Sequence, residues 1–251
     1  SMNYFNNTST INERFKQDGY IIWSDKIIRK KVFKLKDLFS KKYKSLFNSD
    51  VNRNRNLLKC FASDIEVSKI FSDEKIKKLL QNLGVSSPLY CGPIVSHYTS
   101  SDPTGNNFGL PLHQDWPSMA SSLNSKIIWF NLVDTSPNTN GIQVASGKHS
   151  EGIFKGVNQS NGYVLENEKN YTLKKLTINA GDLLVMSSFL PHKTFINRND
   201  VNWKLSLSRR YDDLDDNTWS QRNFLNAYST QVNRDIYRNY KNWKRSFRLC
   251  A

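Results

Sequence analysis

The chain has 251 residues, which is enough for one domain with a sizeable core, and a formal net charge of +14 at pH 7. No apolar run approaches the roughly 18 residues of a membrane span, so we expect no spanning segment. The three cysteines do not form a C-x-x-C pair and are too few for a disulfide framework, which favours a reducing compartment, and we expect a cytoplasmic protein.

The positive charge predicts attraction to anionic partners, a class that includes nucleic acid, phosphorylated metabolites and acidic membrane surfaces. Much of it lies in two lysine- and arginine-rich segments, residues 26–44 and 234–248. The favoured interpretation of these two segments is that their charges form the solvated faces of helices. Charge alone does not choose among the partners.

Residues 10–83 are predicted to be mainly helical. Thr10-x-x-Glu13 has the pattern of a capping box, and the first helix should stop at Gly19. An apolar period near 3.6 follows, which predicts a helix with one buried face. The residues of that face are Val32, Leu35, Leu38, Phe39, Leu46 and Phe47.

A further helix is predicted over residues 73–83. Ser72 would be its N-cap, acidic residues occupy its first turn, and Gly84 lies just beyond its end. We expect residues 1–90 to form a mostly helical buttress for the rest of the chain.

Beyond residue 88 the pattern changes to short β-type runs between loops rich in Gly, Asn, Pro and Ser. The runs are residues 127–133, 173–178, 183–187 and 205–211. This texture predicts an antiparallel sandwich or barrel, with its core in residues 91–211.

The last segment, residues 212–251, is predicted to be a helical tail. Its aromatic residues recur at spacings of three and four, which suits one helical face. They are Tyr237, Tyr240, Trp243 and Phe247. We expect the tail to pack on a single domain spanning 1–251 or across a homodimer, and a basic surface for a partner is the alternative.

The sequence His113-Gln114-Asp115 places an imidazole and a carboxylate two residues apart. On an extended segment both side chains leave from the same face, so both can bind one ion. His192 follows a strong strand and is the best third ligand, because His97 precedes a loop and His149 lies in a turn. Two histidines and one carboxylate would form a facial triad with open coordination positions.

The strand after His192 alternates polar and apolar residues, so Lys204 and Ser206 can face the same cavity as the metal. A buried cation needs an anion, and the distal carboxylate of 2-oxoglutarate would supply it through a charge-assisted hydrogen bond. Arg210 has the same strand parity and is a second candidate for that anchor.

These residues resemble the phytanoyl-CoA dioxygenase family over residues 15 to 211. The likeness depends on an ordered series of motifs. The series is Phe15-x-x-Asp18-Gly19-Tyr20, Leu112-His113-Gln114-Asp115-Trp116, Trp129-x-x-Leu132, Gly141-Ile142-Gln143-Val144-x-x-Gly147-Lys148-His149, Ala180-Gly181-Asp182, His192 and Lys204-x-Ser206-x-x-x-Arg210-Tyr211.

The resemblance implies a mainly β fold with flanking α-helices, namely a double-stranded β-helix or cupin-like jelly roll. It implies Fe(II) on His113, Asp115 and His192, with 2-oxoglutarate and dioxygen as co-substrates. Hydroxylation of a C–H bond would release succinate and CO2, and Asp115 argues against a halogenase. The family usually has arginine where Lys204 stands, and lysine retains the charge but not the planar fork.

The resemblance also places other side chains around the triad. It implies that Trp129 lines the co-substrate pocket, and Asn131 should face the same side. Gln143 is predicted to point into the barrel. Trp116 and Ser118 follow the aspartate and are candidates for substrate contacts. The family's Gly-x-His turn is not a metal ligand, which implies a structural role for the turn histidine.

The substrate is predicted to be a polar or anionic small metabolite, or a sugar-bearing intermediate, because such compounds suit the positive charge. A nucleic-acid oxidative demethylase is the first alternative, although nucleic acid is the less favoured partner. A non-catalytic cupin-like binding protein is the second, because a fold does not determine a function.

Overall fold

The computed structural model describes residues 8–100, 109–159, 162–200 and 202–221. Its helices are α1 (Thr8–Asp18), α2 (Lys26–Leu38), α3 (Val51–Ala62), α4 (Ile65–Phe71), α5 (Glu74–Asn82), α6 (Trp116–Met119) and α7 (Thr218–Gln221). Its strands are β1 (Tyr20–Trp23), β2 (Pro88–Thr99), β3 (Lys126–Asn131), β4 (Gly141–Val144), β5 (Gly156–Gln159), β6 (Gly162–Leu165), β7 (Lys174–Lys175), β8 (Leu183–Ser187), β9 (His192–Phe195) and β10 (Lys204–Asp213).

The strands form two antiparallel layers. One is a five-stranded sheet in the order β1-β8-β3-β10-β2, and the other contains β7-β4-β9 and the hairpin β5-β6. Two isolated bridges at His113, one to Val164 of β6 and one to His192 of β9, join these strands. The predicted jelly roll with flanking helices is confirmed, and the space between the layers is where a ligand would be held.

Strand alternation divides the larger sheet between two cores. On β3, Ile128 and Phe130 belong to the apolar cluster shared with the helices. Ile127 and Trp129 belong to a second cluster inside the barrel. Because both faces are covered, β3 and β8 consist entirely of buried residues.

Helices α1 to α5 pack on the outer face of the larger sheet. Val32, Leu35 and Phe39 are buried there, as the apolar period predicts. α2 ends at Leu38 and continues as a π-helical turn, and this change of pitch leaves Leu46 exposed. The N-cap of α5 is Asp73, not the predicted Ser72, because the Asp73 carboxylate accepts from the backbone N–H of the second helical residue.

The strands differ from the sequence prediction in several places. β1 was expected to lie in the helical buttress, but it pairs with β8 at the edge of the larger sheet. Of the predicted run 173–178, only two residues form a strand. β10 extends the predicted run 205–211 at both ends. The division of the chain at residues 90 and 211 stays a prediction, and the tail aromatics lie outside the described residues.

Over the residues described, the structure contains no helix long and apolar enough to cross a membrane.

The chain crosses from α1 into β1 against the turn that contains His149. Gly19 has φ +77°, and a Cβ added to it would lie 2.5 Å from His149 Nδ1. The backbone N–H of Gly147 donates to the Asp18 carbonyl at 2.9 Å, and Ser146 Oγ donates to the Asp18 carboxylate at 2.8 Å. His149 therefore has a packing role here, as predicted.

Gly19→Ala is expected to lower the free energy of unfolding by about 2 kcal/mol more than Gly84→Ala does, measured by urea denaturation. Gly84 is the matched control, because its φ is +84° and a Cβ there would meet nothing within 4 Å. Both variants bear the cost of a left-handed alanine, whereas only Gly19→Ala collides with an imidazole. Equal losses in the two variants would contradict this contact.

Candidate metal and co-substrate site

His113 and His192 are directly opposite each other on neighbouring backbone segments. The N–H of His113 donates to the His192 carbonyl at 2.9 Å, and the N–H of His192 donates back at 3.0 Å. Such a pair fixes two Cα atoms close together with their side chains on one face. The ring centroids are 4.2 Å apart. Residues 79 positions apart in the sequence are thus adjacent through main-chain bonds.

Asp115 reaches the same place by a different backbone path from the extended one predicted. It adopts the αR conformation at the start of α6. Gln114, between the two ligands, is buried on the other side, where its amide nitrogen donates to the carbonyls of Gly152 and Phe189. These bonds hold the His-x-Asp segment in place.

The three side chains offer three ligand atoms that lie within 4.8 Å of one another. Nδ1 of His113 lies 2.8 Å from the Pro111 carbonyl, and Nδ1 of His192 lies 2.9 Å from the Leu190 carbonyl. A carbonyl only accepts, so each Nδ1 carries the proton and each Nε2 presents a lone pair to the centre. Two imidazole nitrogens and one carboxylate oxygen are the donor set of non-haem Fe(II).

Arg210 is bound to the carboxylate of this set. Its Nε donates to Asp115 Oδ1 at 2.9 Å and its Nη2 donates to the same oxygen. Asp115 Oδ2 lies 3.5 Å from His192 Nε2. One carboxylate oxygen is thus held by the guanidinium, and the other faces the histidines.

The electrostatics of the site favour the forms that bind a metal. Burial alone would raise the pKa of Asp115, but the charge of Arg210 and the nearby imidazoles outweigh it and hold that pKa below its usual value. Burial, followed by the charge of His192, lowers the pKa of His113 to about 3. At neutral pH the carboxylate is therefore charged and the His113 imidazole is neutral.

Lys204 lies in the same cavity and is buried. Its Nζ donates to the Asp134 carbonyl at 3.0 Å, and the Asp200 carboxylate is 3.8 Å away, too far for a hydrogen bond. An ammonium carries three N–H donors, so the Asp134 carbonyl leaves donors for a bound carboxylate. Ser206, two residues along β10, also lines the cavity.

The cavity between the two layers encloses about 580 Å³ of empty space, its mouth included. Trp129 and Asn131 line it, in the positions that strand parity predicts. The Asn131 amide donates to Thr135 Oγ1 at 3.0 Å, which fixes the orientation of its side chain. The structure thus brings the three expected metal ligands and the expected co-substrate residues to one cavity. The co-substrate residues are Lys204, Ser206, Arg210, Trp129 and Asn131.

Three predicted substrate contacts are not brought to this cavity, which corrects the sequence expectation. Trp116 is fully buried, stacks on Phe189 and donates Nε1–H to the Ser122 carbonyl. Ser118 donates to the Asp115 carbonyl within the same short helix. Gln143 has the opposite parity to Ile142 and Val144, which belong to the apolar cluster inside the barrel, and therefore faces outward.

The expected role of Arg210 also changes. It shares the cavity with Lys204, but its Nε and Nη2 both donate to Asp115. The guanidinium therefore holds the Asp115 carboxylate in this structure, whereas the Lys204 ammonium keeps donors for a co-substrate.

His97 and Thr99 on β2 line the cavity but were not selected from the sequence. The register pairs Thr99 with Lys204 and His97 with Ser206. Alternation on β2 could have found them, because β2 pairs with the strand that carries Lys204 and Ser206. From the sequence alone, His97 is predicted only to precede a loop, and that position does not indicate a place in the cavity.

The sequence profile of the family described as phytanoyl-CoA dioxygenase (PhyH) matches residues 15–204. No curated protein matches the chain. EctD from S. alaskensis, solved with 2-oxoglutarate and 5-hydroxyectoine, is similar in fold, with 12% identity, coverage of 86% of this chain and 79% of that chain, and a TM-score of 0.61.

Two further solved structures share the fold. One is the epimerase SnoN in complex with Fe3+, alpha-ketoglutarate and nogalamycin RO, with 13% identity, coverage of 82% and 83%, and a TM-score of 0.58. The other is the non-heme monooxygenase ThoJ, with 15% identity, coverage of 81% and 77%, and a TM-score of 0.60. The profile match spans most of the sequence and includes the three candidate ligands. The chain therefore belongs to the phytanoyl-CoA dioxygenase family and is an iron- and 2-oxoglutarate-dependent oxygenase.

Proposed function

We propose that the protein hydroxylates a C–H bond of a polar or anionic small metabolite, or of a sugar-bearing intermediate, with release of succinate and CO2. The observation that carries the proposal is the cross-strand pair of His113 and His192 beside Asp115, with a buried lysine in the same cavity. The positive net charge supports a polar or anionic substrate.

In this proposal His113, Asp115 and His192 hold Fe(II) through two Nε2 atoms and one carboxylate oxygen. The carbonyls of Pro111 and Leu190 keep both imidazoles in the required tautomer. Bound iron, with 2-oxoglutarate and dioxygen, supplies the oxidising chemistry.

Lys204 and Ser206 bind the distal carboxylate of 2-oxoglutarate in this proposal, with the Lys204 ammonium giving a charge-assisted hydrogen bond. The apolar walls of the cavity, among them Ile127 and Met186, exclude water around that ion pair. Trp129 would lie against the carbon chain of the co-substrate. The residues thus orient the co-substrate with its keto-acid end toward the three ligands.

The direct test is the release of succinate from 2-oxoglutarate by the full chain loaded with Fe(II) under air. Even without substrate, we expect a slow release that needs both the metal and the intact ligand set. A protein that binds iron and 2-oxoglutarate tightly yet forms no succinate would favour a binding role. A DNA affinity that falls steeply with salt, together with activity on methylated bases, would favour a nucleic-acid demethylase.

Arg210→Lys is expected to weaken iron binding by about tenfold, because lysine keeps the charge but loses the second donor to Asp115. Competition with a coloured chelator under nitrogen measures the affinity. Arg209→Lys is the matched control, since Arg209 is the neighbouring cation on the opposite face of the strand, 3.3 Å above the Tyr90 ring. Equal effects of the two changes would remove Arg210 from its orienting role.

A further inference from the structure

The charges around the cavity balance among the described residues. Each cation that lines it has a carboxylate partner. The pairs are Lys204 with Asp200 at 3.8 Å, Lys193 with Glu168 at 2.7 Å and Arg210 with Asp115. A divalent metal ion and the two carboxylates of 2-oxoglutarate would cancel as well. Within the part of the chain that the structure describes, the loaded cavity therefore leaves no unbalanced positive charge for an anionic substrate.

An anion entering such a cavity loses its hydration without gaining a counter-charge, and this costs several kcal/mol for a buried ion. A neutral polar group has a smaller desolvation cost, which hydrogen-bond partners in the cavity are sufficient to offset. The positive net charge of the chain acts at long range and is screened by salt, so it does not decide which ligand is stable inside.

Hydrogen-bonding groups of the required kind line the cavity on β2 and β10. The register places Ser206 between Asn131 of β3 and His97 of β2, so polar side chains cross three strands in one row. His97 Nε2 lies 3.5 Å from Ser208 Oγ, the outer limit of a hydrogen bond. A bond this weak is readily replaced by one to a ligand.

The imidazole of His97 is neutral at pH 7. Burial first, and then the charge of Arg210, lowers its pKa to about 4. A neutral imidazole offers one donor and one acceptor, which matches a hydroxyl or an amide. Ser208 adds a hydroxyl that both donates and accepts.

We propose that the part of the substrate that enters this cavity carries no net charge, and that His97 and Ser208 hold a hydroxyl or amide group of it. This inference rests on the proposed function, because the charge balance includes the metal and 2-oxoglutarate. It narrows the expected substrate from polar or anionic compounds to uncharged polar ones.

The test compares matched neutral and phosphorylated compounds as stimulants of succinate release by the iron-loaded full chain. The probes are glucose with glucose 6-phosphate, glycerol with glycerol 3-phosphate, and uridine with uridine monophosphate. We expect a neutral member to raise the rate above the substrate-free value and its phosphorylated partner to raise it at least about fivefold less. Stimulation by a phosphorylated member equal to or above that of its neutral partner would overturn the inference, and so would the absence of stimulation by every neutral member.

His97 is tested with the neutral compound that stimulates most. His97→Phe is expected to raise the KM for that compound by about tenfold, whereas His97→Gln, which keeps a donor and an acceptor, restores it to within about threefold. The Kd for 2-oxoglutarate, measured by calorimetry with Mn(II) in place of iron, stays unchanged in both variants. Equal loss in Phe and Gln variants, or a parallel loss of 2-oxoglutarate binding, would show a merely structural role and refute the assignment.

Failure of the proposed function is recognised separately. In that case the wild-type chain would not bind 2-oxoglutarate in the presence of the metal and would release no succinate without substrate, and the inference would fall with it.

Discussion

Replacing His192 with alanine is expected to lower the affinity for Fe(II) by more than about 100-fold, because even the partners of metal ligands contribute 10- to 100-fold. Its Nε2 is one of three ligand atoms, and its ring faces that of His113. The loss is measured as iron retained after anaerobic dialysis against a weak chelator. The circular dichroism spectrum should not change, since the backbone bonds of residue 192 do not depend on its side chain.

Ser118→Ala is the control for this prediction. Ser118 is close to Asp115 in sequence, yet its hydroxyl donates to the Asp115 backbone carbonyl and not to a metal-binding side chain. The iron affinity of the Ser118→Ala variant is expected to equal that of the wild type. Retention of a full equivalent of iron by His192→Ala would remove this histidine from the ligand set.

Replacing Lys204 with alanine is expected to raise the Kd for 2-oxoglutarate by about 10- to 100-fold, the loss of one charge-assisted hydrogen bond. Iron affinity should stay near the wild-type value, because the ammonium bonds the Asp134 carbonyl and does not contact the three ligands. Calorimetry with Mn(II)-loaded protein measures 2-oxoglutarate binding without turnover, and competition with a coloured chelator under nitrogen measures the iron affinity.

The structure permits a sharper form of this experiment. 2-Oxopentanoate has the same chain length as 2-oxoglutarate but lacks the distal carboxylate, so Lys204→Ala should not weaken its binding. Lys175→Ala is the matched control, since Lys175 is exposed on β7 with its ammonium over the Phe195 ring. If Lys204→Ala binds 2-oxoglutarate normally, the anchor is another group, and Arg210 would be the next to test.

Patterns with a short repeat predicted much of this molecule. Alternation along β10 correctly placed Lys204, Ser206 and Arg210 on the inner face, because a strand buried on both sides still separates polar from apolar residues. The period of 3.6 likewise identified the buried face of α2. In both elements the face on which a side chain lies repeats with the regular period of the backbone, so the sequence pattern is sufficient to predict it.

Other features depend on how distant segments meet. The run Tyr20–Trp23 is too short for its apolar residues to distinguish a strand from a helical continuation, and only pairing with β8 decides. The parity of Gln143 on a four-residue strand was equally open. The sequence did not determine whether Arg210 binds a co-substrate or Asp115, because its long side chain can extend to either.

The His113-x-Asp115 segment was predicted in part from its local pattern and depends in part on distant packing. Convergence of His113 and Asp115 was expected from extended geometry, but the chain turns into α6 at Asp115. That turn directs Trp116 into the apolar cluster with Phe189 instead of toward a substrate. A three-residue pattern could not predict this change in backbone conformation, because it accompanies the packing of Trp116 on residues that are distant in sequence.

In the proposed site, one Fe(II) on His113, Asp115 and His192 shares the cavity with 2-oxoglutarate. Anaerobic addition of Fe(II) and then 2-oxoglutarate to the full chain, followed by visible spectroscopy, tests it most directly. We predict a charge-transfer absorbance that appears only when both are present, saturates near one equivalent of each, and is absent in Asp115→Ala. No such absorbance in the wild type, or an undiminished one in Asp115→Ala, would contradict the claim.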